Sequence, residues 1–369
     1  MYGFNGALLS WFSSYLNSRT QRVVLNGEVS ATLSVSSGVP QGSILGPLLF
    51  LLYIDDISSN LSDGTKIALY ADDTKIYRAV KSFKDTITLQ SDLLLLESWS
   101  RTWMMNFNAT KCKVMSVCRT IKFPFDYVLN TTTLERVHEF NDLGIVVTSD
   151  LCWHRHINLK IAKASQMLGL IKRGIGYHAP MKVKKLLYIS LVQSILSYGS
   201  VVWAPNKEHL VRLESISRRA TKFILNDSTS SYKIRLRATD MIPFSFIKEI
   251  IDIIFFYKSI NKMYDVDINS IVSIYNDSSS ITRRGQQGVL INQPFIRTER
   301  ARSFFSSRIC PIWNSLPNSI RAIHCNNELV CPLRTLLSEW DLAKTITMFD
   351  ITNTCTWVSH CRCFNCRPT

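Results

Sequence analysis

Two adjacent carboxylates, Asp72 and Asp73, sit within Ile67–Tyr77, IALYADDTKIY. The flanking runs are apolar and β-prone, so the stretch reads as a hairpin with its turn centred on Ala71-Asp72. A two-residue hairpin turn usually takes Gly or Asn, because its central residues need positive φ; this one has neither. An aspartate in a surface turn is ordinary turn chemistry. A slightly strained turn that aims Asp72 outward also suits a hard divalent cation such as Mg²⁺, which takes carboxylate oxygens together with substrate phosphates. The tetrapeptide alone leaves both readings open.

Other residues invite chemistry. Gly38-Val39-Pro40-Gln41-Gly42-Ser43 is a loop opening a helix that runs to about Ile57. Glycines ahead of a helix N-terminus admit a close ligand such as a phosphate or a nucleotide sugar. That helix ends on a second acidic pair, Asp55-Asp56, which reads as a structural cluster leading into a turn. Asn108 and Lys111 mark the junction of a loop and a strand within Met105–Val117. Near the C-terminus, Cys355, His360, Cys361, Cys363 and Cys366 offer soft ligands for one tetrahedral Zn²⁺. With a single C-x₂-C pair, an unstructured end accounts for them as well.

The elements that must position these groups are read from periodicity and turn signals. Leu8, Trp11, Phe12 and Tyr15 share one face of a helix over Leu8–Leu16. Arg22–Leu25, Asn26-Gly27 and Glu28–Leu33 form a hairpin signal. A long helix over Asp85–Trp103 buries Leu89, Leu93, Leu96, Trp99 and Trp103. The longest apolar run, Ile44–Ile54, reads as a buried core helix, and Phe140–Val147 as one strand broken at Gly144.

From Cys152 the chain becomes helical and basic. One helix packs Ile157, Ile161, Ala164, Leu168 and Ile171 and carries Lys160, Lys163, Lys172 and Arg173. A second, starting at Pro180, buries Val183, Leu187, Leu191 and Ile195 and carries Lys182, Lys184 and Lys185. A third, Lys207–Leu225, buries Leu210, Leu213, Ile216, Ala220 and Ile224, with Arg212, Arg219 and Lys222 on its other face. Ser245–Met263 is another apolar helix. Arg297, Arg300, Arg302 and Arg308 alternate with Phe304, Phe305 and Trp313, a mixture that suits nucleic-acid contact or a small satellite core.

Lys and Arg number 43 against 28 Asp and Glu, a formal charge of +15 that favours a polyanionic partner, nucleic acid before a membrane surface. Cations on outer helix faces are ordinary solvated charge, but here few carboxylates lie among them, as on a surface that tracks a phosphate backbone. At 46% hydrophobic and 19% charged, the composition is that of folded domains. The longest apolar run is too short to span a bilayer, so no membrane partner is expected. Met1–Ser14 has neither a basic n-region nor a small-residue cleavage site. With scattered cysteines, this leads to the expectation of an intracellular protein, nuclear or cytoplasmic and not secreted.

The GVPQGS loop continues as ILGPLLFLLYIDDI and is succeeded by Tyr70-Ala71-Asp72-Asp73. Together these blocks resemble the reverse transcriptases of non-LTR retrotransposons, LINE type and near the jockey-like group. Asn108-Ala109-Thr110-Lys111-Cys112 resembles the segment after the palm helix in that family. Leu143-Gly144, ahead of Trp153 and His156, resembles its primer-grip block. SLVQSILSYGSVVW, residues 190–203, and the later RSFFSSR and WNSLP, within residues 302–317, resemble the segments C-terminal to that block in these elements.

The resemblance implies an α+β fold: a partial right-hand polymerase palm over residues 1–148, a basic helical thumb over 149–228, a helical connector over 229–340 and a Cys/His-rich tail over 341–369. It implies RNA-templated DNA synthesis from a primer 3′-OH by two Mg²⁺ ions, with Asp72 and Asp73 as ligands. Gln41, Gly42, Tyr70 and Ala71 would line the nucleotide and template pocket, and Lys111 would stand near the leaving pyrophosphate. Leu143 and Gly144 would grip the primer. Lys160, Lys163, Lys172, Arg173, Lys184, Lys185, Arg212, Arg219 and Lys222 would bind nucleic acid. The partners implied are an RNA template, a DNA primer, their RNA–DNA hybrid and deoxynucleoside triphosphates. The family's first catalytic aspartate comes from a Phe-Asp block upstream of the sequence in hand, and the fingers are absent from it. The expectation is therefore a chain inactive by itself, with a non-enzymatic nucleic-acid-binding remnant as the alternative.

Overall fold

The computed structural model describes residues 3–118, 120–121, 123–275, 290–293, 295–316 and 321. The Cys/His cluster of the tail and the Asn276–Thr282 linker lie outside the described residues. The chain mixes helices with small two-stranded sheets and divides into two compact units, residues 1–139 and 140–369.

The first unit opens with α1 (Gly6–Leu16), then two nested antiparallel pairs. β1 (Thr20–Gln21) pairs with β4 (Leu33–Ser34), and inside them β2 (Val24–Leu25) pairs with β3 (Glu28–Val29) across the expected Asn26-Gly27 turn. α2 (Gly46–Ile54) continues as a 3₁₀ turn over Asp55–Ser58. The expectation of a buried core helix over this run is corrected. Leu48 and Leu51 are 53% and 58% exposed, and only Gly46 and Ile54 of α2 are buried. The reason is that α2 is apolar on every side, while the first unit's hydrophobic cluster reaches this part of the chain only at Ile57 and Leu61.

β5 (Thr65–Tyr70) and β6 (Asp73–Arg78) form a six-pair antiparallel hairpin. α3 (Phe83–Thr102) starts with a Ser82–Asp85 capping box, which satisfies first-turn N–H groups at both ends of the motif. Its Leu93 and Leu96 pack with Ile57, Tyr127, Leu129 and Leu134, and the half-buried Ile67 and Ile76 bring the hairpin into the same core. Trp103, expected inside, is 40% exposed at the helix end. Short strands complete the unit: β7 (Lys113–Val114) lies parallel to β10 (Glu135–Arg136), and β8 (Val128–Leu129) pairs with β9 (Thr132–Thr133). Gln90 of α3 binds both the N–H and the C=O of Val128 at 2.9 Å, and so continues the edge of β8.

At the second unit's start, β11 (Glu139–Asp142) and β12 (Ile145–Thr148) form a hairpin. The single broken strand expected here is thus two strands. Leu143 and Gly144 form the turn, at φ +49° and +79°, as a two-residue primed turn requires. α4 (His154–Ile175) and α7 (Lys207–Leu225) bury the faces that spacing predicts. Between them α5 (Met181–Leu187) passes through a π-helical stretch, Tyr188–Gln193, into α6 (Ser194–Ser197). The expected inner face of this helix is corrected by one residue. Lys184, Tyr188, Val192 and Leu196 are buried, while Val183 and Leu191 are 43% and 41% exposed. Four-residue steps hold one face in line through the wider π turn.

α8 (Tyr232–Thr239) and α9 (Phe244–Ile260) come next, and Phe244 joins the core of α4, α5, α6 and α7. α10 (Ile268–Ile271), the β13 (Ile274–Tyr275) and β14 (Leu290–Ile291) pair, α11 (Glu299–Ser303) and α12 (Phe305–Ser315) complete the described residues apart from Arg321. Phe256, Trp313, Ile309 and Ile291 centre a second core. Among the described residues no helix is long and apolar enough to cross a membrane.

Candidate active site and nucleic-acid surface

The hairpin tip is built by its roots. Thr65, first in β5, donates to the buried Asp92 of α3 at 2.6 Å, and Asp92 also accepts the Ser62 N–H at 2.9 Å. Arg78, last in β6, donates to Thr65 at 2.9 Å and to the Asp63 carbonyl at 2.7 Å. It also pairs with Asp85 at 3.4 Å. Hydrogen bonds from the Ser82 hydroxyl and the Lys81 and Ser82 N–H groups hold the Asp85 carboxyl down at about 2. Asp85 and Asp92 are thus fully engaged in holding the hairpin against α3.

Tyr70 pairs with Asp73, so Ala71 and Asp72 are the two turn residues, as the sequence pattern predicts. Ala71 has φ +50°, a left-handed conformation that costs a residue with a Cβ about 1–2 kcal/mol. Tyr70, Ala71, Asp72 and Asp73 are all exposed, and neither carboxylate makes a hydrogen bond or ion pair among the described residues. The tip therefore presents two unengaged hard-oxygen ligands to solvent. Lys111 is also exposed, in a turn where its N–H bonds the Asn108 carbonyl at 3.0 Å. No ion pair joins it to Asp72 or Asp73 among the described residues. The other acidic pair differs: Asp56 accepts the Trp99 indole N–H at 2.7 Å, a structural role.

Gln41 and Gly42 are exposed on the loop ahead of α2. Ser43 fixes that loop by donating to the Pro40 carbonyl and accepting the Gly46 N–H, both at 2.9 Å. A Cβ on Gly46 would stand 2.5 Å from the Pro40 carbonyl oxygen, so only glycine fits there. From sequence, Ser43 was named only as the last residue of the loop and Gly46 was given no role at the site; the Gly-Pro after the loop was the available signal.

In the second unit Leu143 and Gly144 form the exposed turn of the β11–β12 hairpin. Tyr198 supports it: its hydroxyl donates to the Leu143 carbonyl at 2.7 Å, and Lys160 Nζ lies 5.0 Å from the centre of its ring. His156, 1% exposed, accepts the Val146 N–H on Nδ1 at 3.1 Å, which clasps β12 to the first turn of α4. Burial, helped by Lys160, holds its imidazole down at about 4.

Of the nine predicted nucleic-acid contacts, Arg212, Arg219 and Lys222 share one exposed face of α7. Arg212 and Arg219 donate across to Asn158 and Ser165 of α4, at 2.8 and 2.9 Å. Lys172 stands beside Arg219, and both burial and that neighbour lower its pKa. Lys163 and Arg173 are exposed on α4, and Lys160 is half-buried. Lys185 donates to the Asp240 carbonyl at 3.2 Å.

Lys184 is a correction. It is 1% exposed, and its ammonium donates to Tyr177 O at 2.8 Å, Phe223 O at 3.3 Å and Asn226 Oδ1 at 2.7 Å. All three of its protons are used in closing the C-terminus of α7, so no phosphate reaches it. Arg308 is likewise structural. It binds Asp252 through Nε at 2.8 Å and Nη2 at 3.0 Å, and donates to the Ser303 carbonyl. Phe305 and Trp313 lie in or against the second core.

Residues 2–147 match the family described as reverse transcriptase (RNA-dependent DNA polymerase). They are reverse transcriptase sequence of the non-LTR retrotransposon kind. The chain is 30% identical over 224 residues to the RNA-directed DNA polymerase from mobile element jockey of Drosophila melanogaster, covering 57% of this chain and 24% of that protein. It is 29% identical over 157 residues to the jockey polymerase of Drosophila funebris, covering 41% and 17%. It is also 25% identical over 225 residues to the probable RNA-directed DNA polymerase from transposon BS of Drosophila melanogaster, covering 57% and 25%. The chain thus spans about a quarter or less of the length of these relatives. The reverse transcriptase segment contains the GVPQGS loop, the Asp72–Asp73 tip and the Leu143-Gly144 turn.

Proposed function

We propose that the chain forms the palm hairpin and the nucleic-acid-holding helices of an RNA-directed DNA polymerase, which extends a primer 3′-OH on an RNA template. The observation that carries this reading is the β5–β6 tip: two adjacent carboxylates, unengaged and exposed, on a hairpin whose roots are pinned by Asp92, Arg78 and Asp85. Residues 1–148 would be a partial palm, 149–228 a thumb, 229–340 a connector and 341–369 a tail.

The donor set fits Mg²⁺ in kind, since carboxylate oxygens are its protein ligands. It is incomplete in number: among the described residues no group of three Asp, Glu, His or Cys side chains could hold a metal ion. Asp72 and Asp73 would therefore supply part of the ligand set. When bound, a pair of Mg²⁺ ions lowers the pKa of an attacking hydroxyl and offsets charge on the transferring phosphoryl group. The chain's own residues would position the substrates. Gln41, Gly42, Tyr70 and Ala71 would bound the nucleotide and template pocket, Leu143 and Gly144 would abut the primer, and Lys111 would meet the leaving pyrophosphate. Lys160, Lys163, Lys172, Arg173, Lys185, Arg212, Arg219 and Lys222 would track the backbone of the RNA–DNA hybrid.

The incomplete ligand set also favours a second reading, a nucleic-acid-binding remnant without chemistry. One experiment addresses both. The purified chain is given Mg²⁺, deoxynucleoside triphosphates and a primed RNA template. The expected result is hybrid binding that weakens steeply with salt and no primer extension. Extension abolished by Asp72→Ala would show that the chain completes the metal site by itself. No binding at low salt would contradict the backbone-tracking role.

A further inference from the structure

Where α7 meets the loop into α8, the second unit contains a cleft of about 340 Å³. Arg218, Arg219, Lys222 and Arg235 line it together with Ser228 and Ser230, and no Asp or Glu is among its lining residues. Arg218 and Arg235 do not belong to the outer basic face read from the sequence. We infer that this cleft is a phosphate pocket that seats one phosphodiester of a nucleic-acid backbone. The inference deepens the proposed function and rests on the reading of these helices as a nucleic-acid surface.

The cleft is a built site. Arg235 is only 4% exposed, on a short helix whose Ile234, Arg237 and Ala238 face solvent. Its Nε donates to Thr221 Oγ1 at 3.2 Å and its Nη1 donates to the Ser230 carbonyl. Those bonds fix the guanidinium and leave Nη2 without a hydrogen bond among the described residues. Tyr232 orders the arginines further: the Arg218 and Arg235 guanidinium carbons lie 4.8 and 5.9 Å from the centre of its ring. Stacked guanidinium groups are pre-organised forks for phosphate oxygens.

Two nearby acids, Glu214 and Asp227, do not line the cleft, although Glu214 interacts electrostatically with Arg218. Glu214 is fully buried and accepts the Tyr232 hydroxyl and the first N–H groups of α9, from Phe244 at 3.3 Å and Ser245 at 3.4 Å. Asp227 Oδ1 accepts Thr229 N–H, Thr229 Oγ1 and Ser230 N–H within its own loop. Four cations in one cleft repel one another, and an anion seated among them removes that repulsion. Arg219 and Lys222 also belong to the outer α7 face, so a backbone running along that face passes the mouth of the cleft. The serine hydroxyls add neutral donors suited to phosphate oxygens.

The test is binding of a fluorescent RNA–DNA hybrid to the full chain across a salt series. Ser228→Asp places a carboxylate at the cleft, where it competes with phosphate. It should lower the slope of log affinity against log salt by about 1 and weaken binding about tenfold near 0.1 M salt. Lys262→Gln changes net charge by the same amount away from the cleft and should leave the slope unchanged. A melting curve for Ser228→Asp at or above the wild-type temperature separates pocket loss from misfolding. Phenylglyoxal footprinting of the wild-type chain gives the answer without any variant: bound hybrid should protect Arg218 and Arg219 and leave the exposed Arg237 reactive. Equal slopes for Ser228→Asp and wild type, or no protection of Arg218, would overturn the pocket while the hybrid-binding reading stands. Absence of wild-type binding at low salt would overturn both.

Discussion

Acid should loosen the second unit through His156. Its Nδ1 accepts the Val146 N–H, so the imidazole must stay neutral at that nitrogen for the clasp between β12 and α4 to hold. Burial first, and Lys160 second, keep it neutral in the fold down to about 4, against 6.5 for an ordinary histidine. The unfolded chain therefore takes up a proton that the folded chain refuses between pH 6.5 and 4. The contribution is fully present above pH 6.5 and is lost as pH falls toward 4. The difference amounts to at most about 3 kcal/mol, and about 2 kcal/mol once solvent screening of the charged form is allowed for. The perturbation is pH itself, with His156→Phe as the non-titrating comparison. The assay is urea unfolding monitored by tryptophan fluorescence, since Trp153 and Trp203 flank the imidazole with ring centres 6.4 and 5.6 Å away. His156→Phe leaves the Val146 N–H without its acceptor and should be less stable than wild type at pH 7.5 by about 1–3 kcal/mol. That gap should close as pH falls to about 4.5, because only wild type loses the histidine contribution. His209, whose pKa is also lowered, is present in both proteins and cancels in the difference. Parallel loss of stability in the two proteins, or an imidazole titrating near 6.5 in the folded chain by NMR, would refute the reasoning.

The geometry sets three further outcomes. Lys184→Met keeps most of the side-chain volume but strands Phe223 O and Asn226 Oδ1, and should cost about 2–4 kcal/mol in urea unfolding, while Lys222→Met on the open face should stay within about 0.5 kcal/mol. Gly144→Ala forces a Cβ into a left-handed turn with the Tyr198 ring 3.4 Å away; it should cost about 1–2 kcal/mol, read as faster amide exchange across β11 and β12. Arg308→Ala leaves the buried Asp252 with Lys248, at 3.0 Å, as its one cation among the described residues, and should destabilise the second unit by about 3 kcal/mol or more in the same unfolding assay.

The elements legible in the sequence are those whose signals are local. α7 falls at its predicted bounds because its apolar residues keep one period from Leu210 to Ile224. The Asn26-Gly27 hairpin falls at its predicted turn because that pair fits only a few backbone conformations. The tip at Ala71-Asp72 was legible through its alternating flanks, although Ala71 breaks the turn rule; a local rule broken in a reverse transcriptase segment is a common mark of a functional position. The misses are tertiary. Lys184 looks like every other lysine on a basic helix until the C-terminus of α7 closes over it. The inner face of α5, α6 and the π stretch between them was displaced by one residue because Lys184 and Tyr188 carry polar groups yet are buried, satisfied by Phe223 O, Asn226 Oδ1 and Ser217 Oγ. Leu143, a β-prone side chain in a left-handed turn, hid a hairpin inside an apparent strand. The cleft between α7 and α8 has no linear signature, since Arg218 and Arg235 come together only through Tyr232.

The central claim is that Asp72 and Asp73 form the metal-holding tip of a polymerase palm. Mn²⁺, which takes the same oxygen ligands as Mg²⁺ and broadens nearby NMR signals, tests it without any need for turnover. With the chain bound to a primed RNA template, titration with Mn²⁺ should broaden the amides of Tyr70 through Thr74 first, and Asp72→Ala should abolish that effect. Broadening centred on Asp55 and Asp56, or broadening of the tip that survives Asp72→Ala, would contradict the account.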